Sequence, residues 1–459
     1  MPSLRPPAVA GAFYPGDAQA LRGELDELLE GVENLEVRFG HPKVLIVPHA
    51  GYIYSGATAA QAYSELIPAR GIVKRVILLG PVHRVAVRGL ALPGVENFAT
   101  PLGAIPIDAE GVRLLNDLPQ VVTSAPAHAM EHALEVQLPF LQRVLGDFSL
   151  LPLAVGDATS AQVAEVLERL WGGPETLIVI STDLSHYHEY ETAQKIDNDT
   201  ADRIARLEAG LNHQQACGAT PLNGLLALAK QKGLSIRRLA VSNSGDTAGG
   251  RGRVVGYCAF ALDEGGTVSR EEAGRTLIGM ARAAIGARLV SREAPKPGGA
   301  AWLAQPGATF VTLTKEGRLR GCIGSLSPHR PLGEDVMANA QAAAFGDPRF
   351  PPMTSAEWPE TQTEVSLLSA ARPIRFADEE DLIARIVPGE DGLILEAGGR
   401  RGTFLPQVWE TLPDKHQFLT QLKLKAGLPA DFRLGRCRVL RYRVAKWKQS
   451  EPDAMRAPH

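Results

Sequence analysis

The sequence predicts an N-terminal α/β domain on a largely parallel central sheet, followed by a C-terminal α+β domain. Three observations carry this. Short, apolar, β-branched runs alternate with amphipathic helical periods up to residue 262. Three of those runs, 43–47, 75–79 and 177–180, each lead to a histidine just past the end: His49, His83 and His186. A polar, Gly-bearing interruption at 263–269 then separates this pattern from a region of hairpin signals and mixed helices.

In chain order, the first helix is expected over 17–29, where Leu21, Leu25, Leu28 and Leu29 share a face. Strand 43–47, a helix over 57–66 and strand 75–79 read as one βαβ unit. A helix is expected over 131–145, and strands at 150–154, 177–180, 237–241 and 254–262. Runs this short and apolar are strands buried on both faces. Beyond the interruption, Ser269 is an N-cap, with Glu271 and Glu272 in the first turn of a helix to about residue 285. Runs 310–314 and 319–324 flank Lys315-Glu316-Gly317-Arg318 as a hairpin. A helix at 332–345, strands at 364–369, 393–396 and 438–444, and a helix at 415–426 complete the pattern. The expected boundaries are therefore a first domain at 5–262, a linker at 263–269, a second domain at 270–446 and a flexible tail at 447–459.

Composition narrows the function classes. Lys and Arg number 48 against 51 Asp and Glu, a net charge of −3, so no bulk field invites nucleic acid or an anionic membrane. No apolar run approaches the roughly 20 residues that span a bilayer, and the first residues lack the apolar core of a signal peptide. Cys217, Cys258, Cys322 and Cys437 have no paired spacing, which argues against a disulfide framework or a CxxC zinc site. The expectation is a cytoplasmic protein with reduced thiols.

The strand-end histidines carry the chemistry. Open parallel sheets bind ligands beyond the carboxyl ends of their strands, and neutral imidazoles gathered there are raw material for a transition-metal site. His49 and His83 are the leading pair, with Pro48 and Pro81 fixing the chain as it leaves each strand. Two histidines and a carboxylate leave open positions on Fe(II), as in non-haem oxygenases. Asp246, after the run 237–241, is the first choice for that carboxylate and Asp183 the second. His186 is a general acid/base candidate, with Asp183 orienting its ring. His128-Ala129-Met130-Glu131-His132 has the letter order of an inverted zincin motif, but Pro126 puts His128 at or before the helix start. His132 is read instead as a first-turn residue facing the same cleft, on the substrate side. Phe13, Tyr14 and Tyr52 are candidate substrate walls, since aromatic faces pack flat organic rings. In the C-terminal half, Leu319-Arg320-Gly321-Cys322-Ile323-Gly324 is the sharpest motif. Cys322 is there either a nucleophile activated by Arg320 or a packing residue.

These residues carry two resemblances. Ala8-Val9-Ala10-Gly11-Ala12-Phe13-Tyr14-Pro15, Pro48-His49-Ala50-Gly51-Tyr52, Leu79-Gly80-Pro81-Val82-His83, Glu131-His132, Ser181-Thr182-Asp183-Leu184-Ser185-His186 and Ser244-Gly245-Asp246 together resemble the Memo family over residues 5–262. That family is similar in fold to class III extradiol dioxygenases. The resemblance implies that His49 and His83 are metal histidines and that His186 is an active-site histidine. A third ligand, a cysteine in animal members, is implied at or beside Asp246. The Arg320–Cys322 motif, Phe345-Gly346-Asp347-Pro348-Arg349-Phe350, Glu364-Val365-Ser366 and Gly402-Thr403-Phe404-Leu405-Pro406-Gln407-Val408-Trp409 resemble the AMMECR family over 270–446. A radical SAM protein is the partner this pairing implies.

The leading expectation is thus a metal-dependent redox enzyme of the extradiol-dioxygenase type, with Fe(II), or else copper or zinc, acting on a small molecule or peptide. The alternative is a non-catalytic metal- or peptide-binding module, because a fold does not fix a function.

Overall fold

A computed structural model describes residues 3–32, 40–264, 268–293, 296 and 298–449. The chain divides into two compact units, Met1–Val32 with His41–Thr267 and Glu33–Gly40 with Val268–His459. Of the expected linker, Asp263 ends a strand and Ser269 caps the next helix, while residues 265–267 lie outside the described residues. The first residues of the expected tail, from 447, are strand instead. Trp447 and Lys448 close the strand Val444–Lys448, and residues 450–459 lie outside the described residues. Among the described residues no helix is long and apolar enough to cross a membrane.

The site is positioned by β1 (Val44–Val47), α1 (Tyr52–Tyr63), β2 (Arg75–Pro81), β3 (Ser149–Val155), β4 (Thr176–Ser181), α2 (Ala219–Lys232), β5 (Ser235–Asn243) and β6 (Val254–Asp263). The strands among these belong to a nine-stranded sheet whose centre runs in the order β6-β1-β4-β2-β3. The four strands from β1 to β3 in that order are parallel neighbours. β6 is antiparallel to β1, and β5 is antiparallel to β6 on its other side. The sheet is therefore parallel at its centre and mixed at its edges.

Alternation along each central strand feeds two separate cores. Leu45, Val47, Val76, Leu78, Leu177 and Val179 pack on one face. Val44, Ile46, Ile77, Leu79, Ile178 and Ile180 pack on the other. This is why the runs carry no polar face. Two helices differ from expectation. α1 starts at Tyr52, directly after Gly51, so its first turn abuts His49. The period over 131–145 is two helices, His132–Glu135 and Leu138–Leu145, because Pro139 belongs to the first turn of the second.

The second unit is α+β. In chain order it contains α3 (Arg270–Leu289), β7 (Thr309–Lys315), β8 (Arg318–Gly324), α4 (Leu332–Phe345) and β9 (Thr361–Leu368), and later antiparallel strands. One four-stranded sheet has the order β8-β7-β9 followed by Val444–Lys448. β7 and β8 are the expected hairpin, closed by Glu316 and Gly317, both at positive φ (50° and 74°). Such two-residue turns match the twist of the strands they join.

Candidate metal centre

His49 and His83 each stand two residues beyond their strands, β1 and β2, with β4 between them. Strands two places apart are about 10 Å from one another, yet the two rings converge across the end of β4 to 5.3 Å between centroids. A third imidazole comes from the connection between β2 and β3. His132 opens the helix His132–Glu135, and its ring centroid is 5.4 Å from that of His49 and 4.7 Å from that of His83. One nitrogen from each of the three lies within 4.8 Å of the others.

The partners of these rings fix their tautomers. Ser181 Oγ donates to the Ala133 carbonyl (2.7 Å) and so accepts from His49 Nδ1, 2.9 Å away. His49 Nε2 then carries the lone pair. Glu131 serves the other two rings. Its carboxylate accepts from the His83 backbone N–H (2.7 Å) and from His83 Nδ1 (2.9 Å), and lies 3.4 Å from His132 Nδ1. It also caps the helix by accepting from Ala133 N–H. Burial pushes the Glu131 carboxyl up, but the hydrogen bond and charge of His83 and the two N–H donors outweigh it and hold the carboxyl at about 2. Burial, then the charge of His83, pushes His49 down to about 3. Burial, then the charge of His49, pushes His132 down to about 4. Both are neutral at pH 7, the form that binds a metal.

The remaining expected residues fall into two groups. Asp183 and His186 are at the site. Asp183 is buried; it accepts from the His49 backbone N–H (2.7 Å), and its second oxygen is 3.9 Å from His49 Nε2. Burial raises its carboxyl above the usual range. The His186 ring is half-buried and hydrogen-bonds the Leu184 carbonyl through Nδ1 (2.9 Å). Leu184, not Asp183, therefore orients it. Phe13 is also at the site, its ring 4.9 Å from that of His132.

Asp246, Tyr14 and Tyr52 are used elsewhere. β5 ends at the same sheet edge as β1, with β6 between them, and Asp246 is not among the three mutually close donors. Its carboxylate closes a local capping box on Asn243 and accepts from the Tyr190 hydroxyl. His132 stands in the trio instead. Tyr14 and Tyr52 are core residues, each 4% exposed, with hydroxyls bonded to Glu135 and to the Val136 carbonyl. His128 is buried and bonds the Ala91 carbonyl, outside the trio.

One residue at the site carried no signal in the sequence. Cys217, just before α2, places Sγ 3.3 Å from His49 Nε2. Only the pairing of loop 212–218 with the end of β4 brings it there, through the Cys217 N–H bond to the Asp183 carbonyl.

In the second unit, Arg320 and Cys322 lie on β8, an edge strand. Arg320 is buried and paired with Glu357. The outward N–H of Cys322 donates to Asp347 (2.9 Å) and its carbonyl accepts from Arg349 (3.2 Å), while Arg349 grips Asp347 through two nitrogens. The Asp347–Arg349 pair thereby caps the free edge at the motif. The half-buried thiol faces Thr312 Oγ1 at 3.3 Å across the hairpin.

Comparison with known proteins gives two family matches, to Memo-like protein over residues 5–261 and to AMMECR1 over residues 278–447. A protein of Aquifex aeolicus named as a MEMO1 family protein is 37% identical over 270 residues, 55% of this chain and 97% of that protein. One of Methanosarcina mazei, named likewise, is 35% identical over 279 residues, 57% of this chain and 99% of that protein. The crystal structure of an uncharacterised protein of Pyrococcus horikoshii is 33% identical, covering 39% of this chain and 93% of its own, with a TM-score of 0.36.

Proposed function

We propose, for a chain that belongs to the Memo-like protein family, that the first unit is a metal-dependent oxidoreductase of the extradiol-dioxygenase type, with Fe(II) at His49, His83 and His132. The observation that supports this most is the trio itself: three imidazole nitrogens within 4.8 Å at the carboxyl edge of parallel strands, their rings oriented by Ser181 and Glu131. A donor set of three imidazole nitrogens fits a divalent transition ion and leaves coordination positions open, as catalytic sites do. When bound, the metal would supply a place where substrate and O₂ meet. The chain's own residues do the rest. Phe13 offers a flat apolar wall beside His132 for an aromatic substrate. His186, half-buried, takes or returns a proton through Nε2 while Nδ1 stays bonded to Leu184. Asp183, held by the His49 main chain, keeps a carboxyl beside the trio. A radical SAM protein as partner of the second unit belongs to this proposal on family resemblance alone.

The test is anaerobic loading with Fe(II), followed by metal analysis and O₂ uptake with a panel of catechols. Wild type and Asp246→Ala are expected to hold one iron, and His49→Ala and His132→Ala little or none. Equal iron in all four would remove the assignment. Bound iron with no O₂ uptake on any catechol would favour the binding-module reading.

A further inference from the structure

We propose that Tyr187 and Arg253 form the substrate-reading lip of the metal centre, and that the substrate they select is an aromatic ring bearing a carboxylate; this rests on the reading of the trio as a metal site. Tyr187 follows His186, and the two rings stand 5.7 Å apart between centroids. It is the middle residue of the short strand His186–His188, which pairs antiparallel with β6. The register slips there. His186 faces Val255 and His188 faces Val254, so Tyr187 is an extra residue with none opposite it. Bulges of this kind re-aim a side chain and are frequent beside active sites.

The backbone makes this residue type costly. Tyr187 has a φ of 64°, in the left-handed region that glycine occupies without strain and an aromatic residue does not. Among the described residues Leu207, Ser291 and Glu316 share that region without being glycine. Leu207 and Ser291 lie just past the ends of helices and Glu316 in the β7–β8 turn, positions where such a φ is ordinary. Tyr187 differs from them in lying inside a strand. Packing does not offset the strain, because Tyr187 is 64% exposed and belongs to neither apolar cluster of the first unit. The residue is therefore kept for what its ring can touch from outside. Ile53, Tyr54 and Met130 are exposed as well, and each stands within five residues of His49 or His132. The segments that carry the centre thus also present apolar groups to a ligand.

Arg253 supplies the charge. Its guanidinium carbon lies 5.0 Å from the Tyr187 ring centroid, and among the described residues no carboxylate pairs with it. The cation–π contact holds the guanidinium at the ring, with its planar fork open to a planar carboxylate. A catechol whose oxygens reach the metal can lie along Tyr187 and present a ring carboxylate to Arg253.

The experiment is a calorimetric titration of the full chain, loaded with Fe(II) and kept free of O₂, with catechol and with 3,4-dihydroxybenzoate. Wild type is expected to bind the benzoate about tenfold more tightly than catechol, the worth of one charge-assisted hydrogen bond. Arg253→Gln, at an exposed position, should lose that preference and bind catechol as before. Tyr187→Gly should hold iron as wild type does and bind both probes about fivefold more weakly. Without metal it should melt no lower than wild type, because glycine relieves the left-handed backbone. A merely structural tyrosine would do the reverse. No binding or equal binding of the two probes by iron-loaded wild type, a preference retained in Arg253→Gln, or wild-type binding of both probes by Tyr187→Gly overturns the proposal and leaves the trio standing. A Tyr187→Gly that melts lower makes the residue a prop of the fold and overturns its assignment. A wild type that holds no iron overturns both the lip and the trio.

Discussion

Glu131 organises two of the three imidazoles with one carboxylate, and this makes it the most informative single substitution outside the ligands. Glu131→Gln keeps the size but loses the charge and one acceptor, so His83 and His132 lose their common anchor. Outer partners of metal histidines are worth about 10–100-fold in metal affinity, and that loss is expected in a chelator competition, with unchanged circular dichroism. An unchanged affinity would mean that Glu131 acts only as a helix cap. His49 supplies a pH test in the metal-free protein. The unfolded imidazole takes its proton from about pH 6.5 downward, the folded one only near 3. Between those values the unfolded state binds more protons. Stability is thus full above about 6.5 and falls as pH drops through the window, by about 2 kcal/mol for this group at pH 5. His132 adds in the same direction. Thermal midpoints at pH 7 and 5 should differ less in His49→Gln than in wild type; an equal difference would place the acid sensitivity elsewhere.

At the scale of elements, β8 shows how a motif can owe its residues to architecture. A Cβ on Gly321 would meet the Ala343 carbonyl of α4 at 2.1 Å, and that atom is main chain. Gly321→Ala should therefore destabilise the second unit by about 1–3 kcal/mol, seen as a lower midpoint of thermal unfolding. Asp347→Ala should strip the cap from Cys322 N–H, at about 1 kcal/mol, and expose a pairing edge that sizing at high concentration would reveal as dimers. A monodisperse, equally stable Asp347→Ala would show that the edge needs no cap. The same scale explains what could be read in the sequence. β1, β2 and their histidines were legible because an apolar run and the residue that ends it are adjacent in the chain. Asp246 was misplaced because a carboxylate's partners are not local: nothing near residue 246 says that the Tyr190 hydroxyl takes it. α2 was missed because Pro221, Leu222, Leu225, Leu226, Leu228 and Ala229 are all buried and leave it little polar stripe to reveal a period. With α2 went Cys217. The single helix expected over 131–145 had the right apolar residues, but Pro139 restarts the helix and frees His132 to point its ring at the trio's other members.

At the scale of the whole chain, each unit has what independent folding requires. The apolar clusters around the nine-stranded sheet draw only on residues up to 262. Those of the second unit draw only on residues from 277 onward. No apolar cluster of the described residues is shared, and the helix that opens the second unit has its own cap, Ser269 accepting from Glu272 N–H. Burying one's own apolar surface is the main stabilising term of a domain. The first unit, expressed as residues 1–264, should therefore unfold cooperatively, at a midpoint close to one of two transitions in the intact chain. Iron should follow the first half alone. A single transition that disappears on separation would show that the fusion is one folding unit. In the second half, Cys322, half-buried on its edge strand, should react with a small thiol reagent faster than the fully buried Cys258 does in the first. Labelling of Cys322 only after denaturation would make its motif a packing device and leave partner binding as the function to test for that unit.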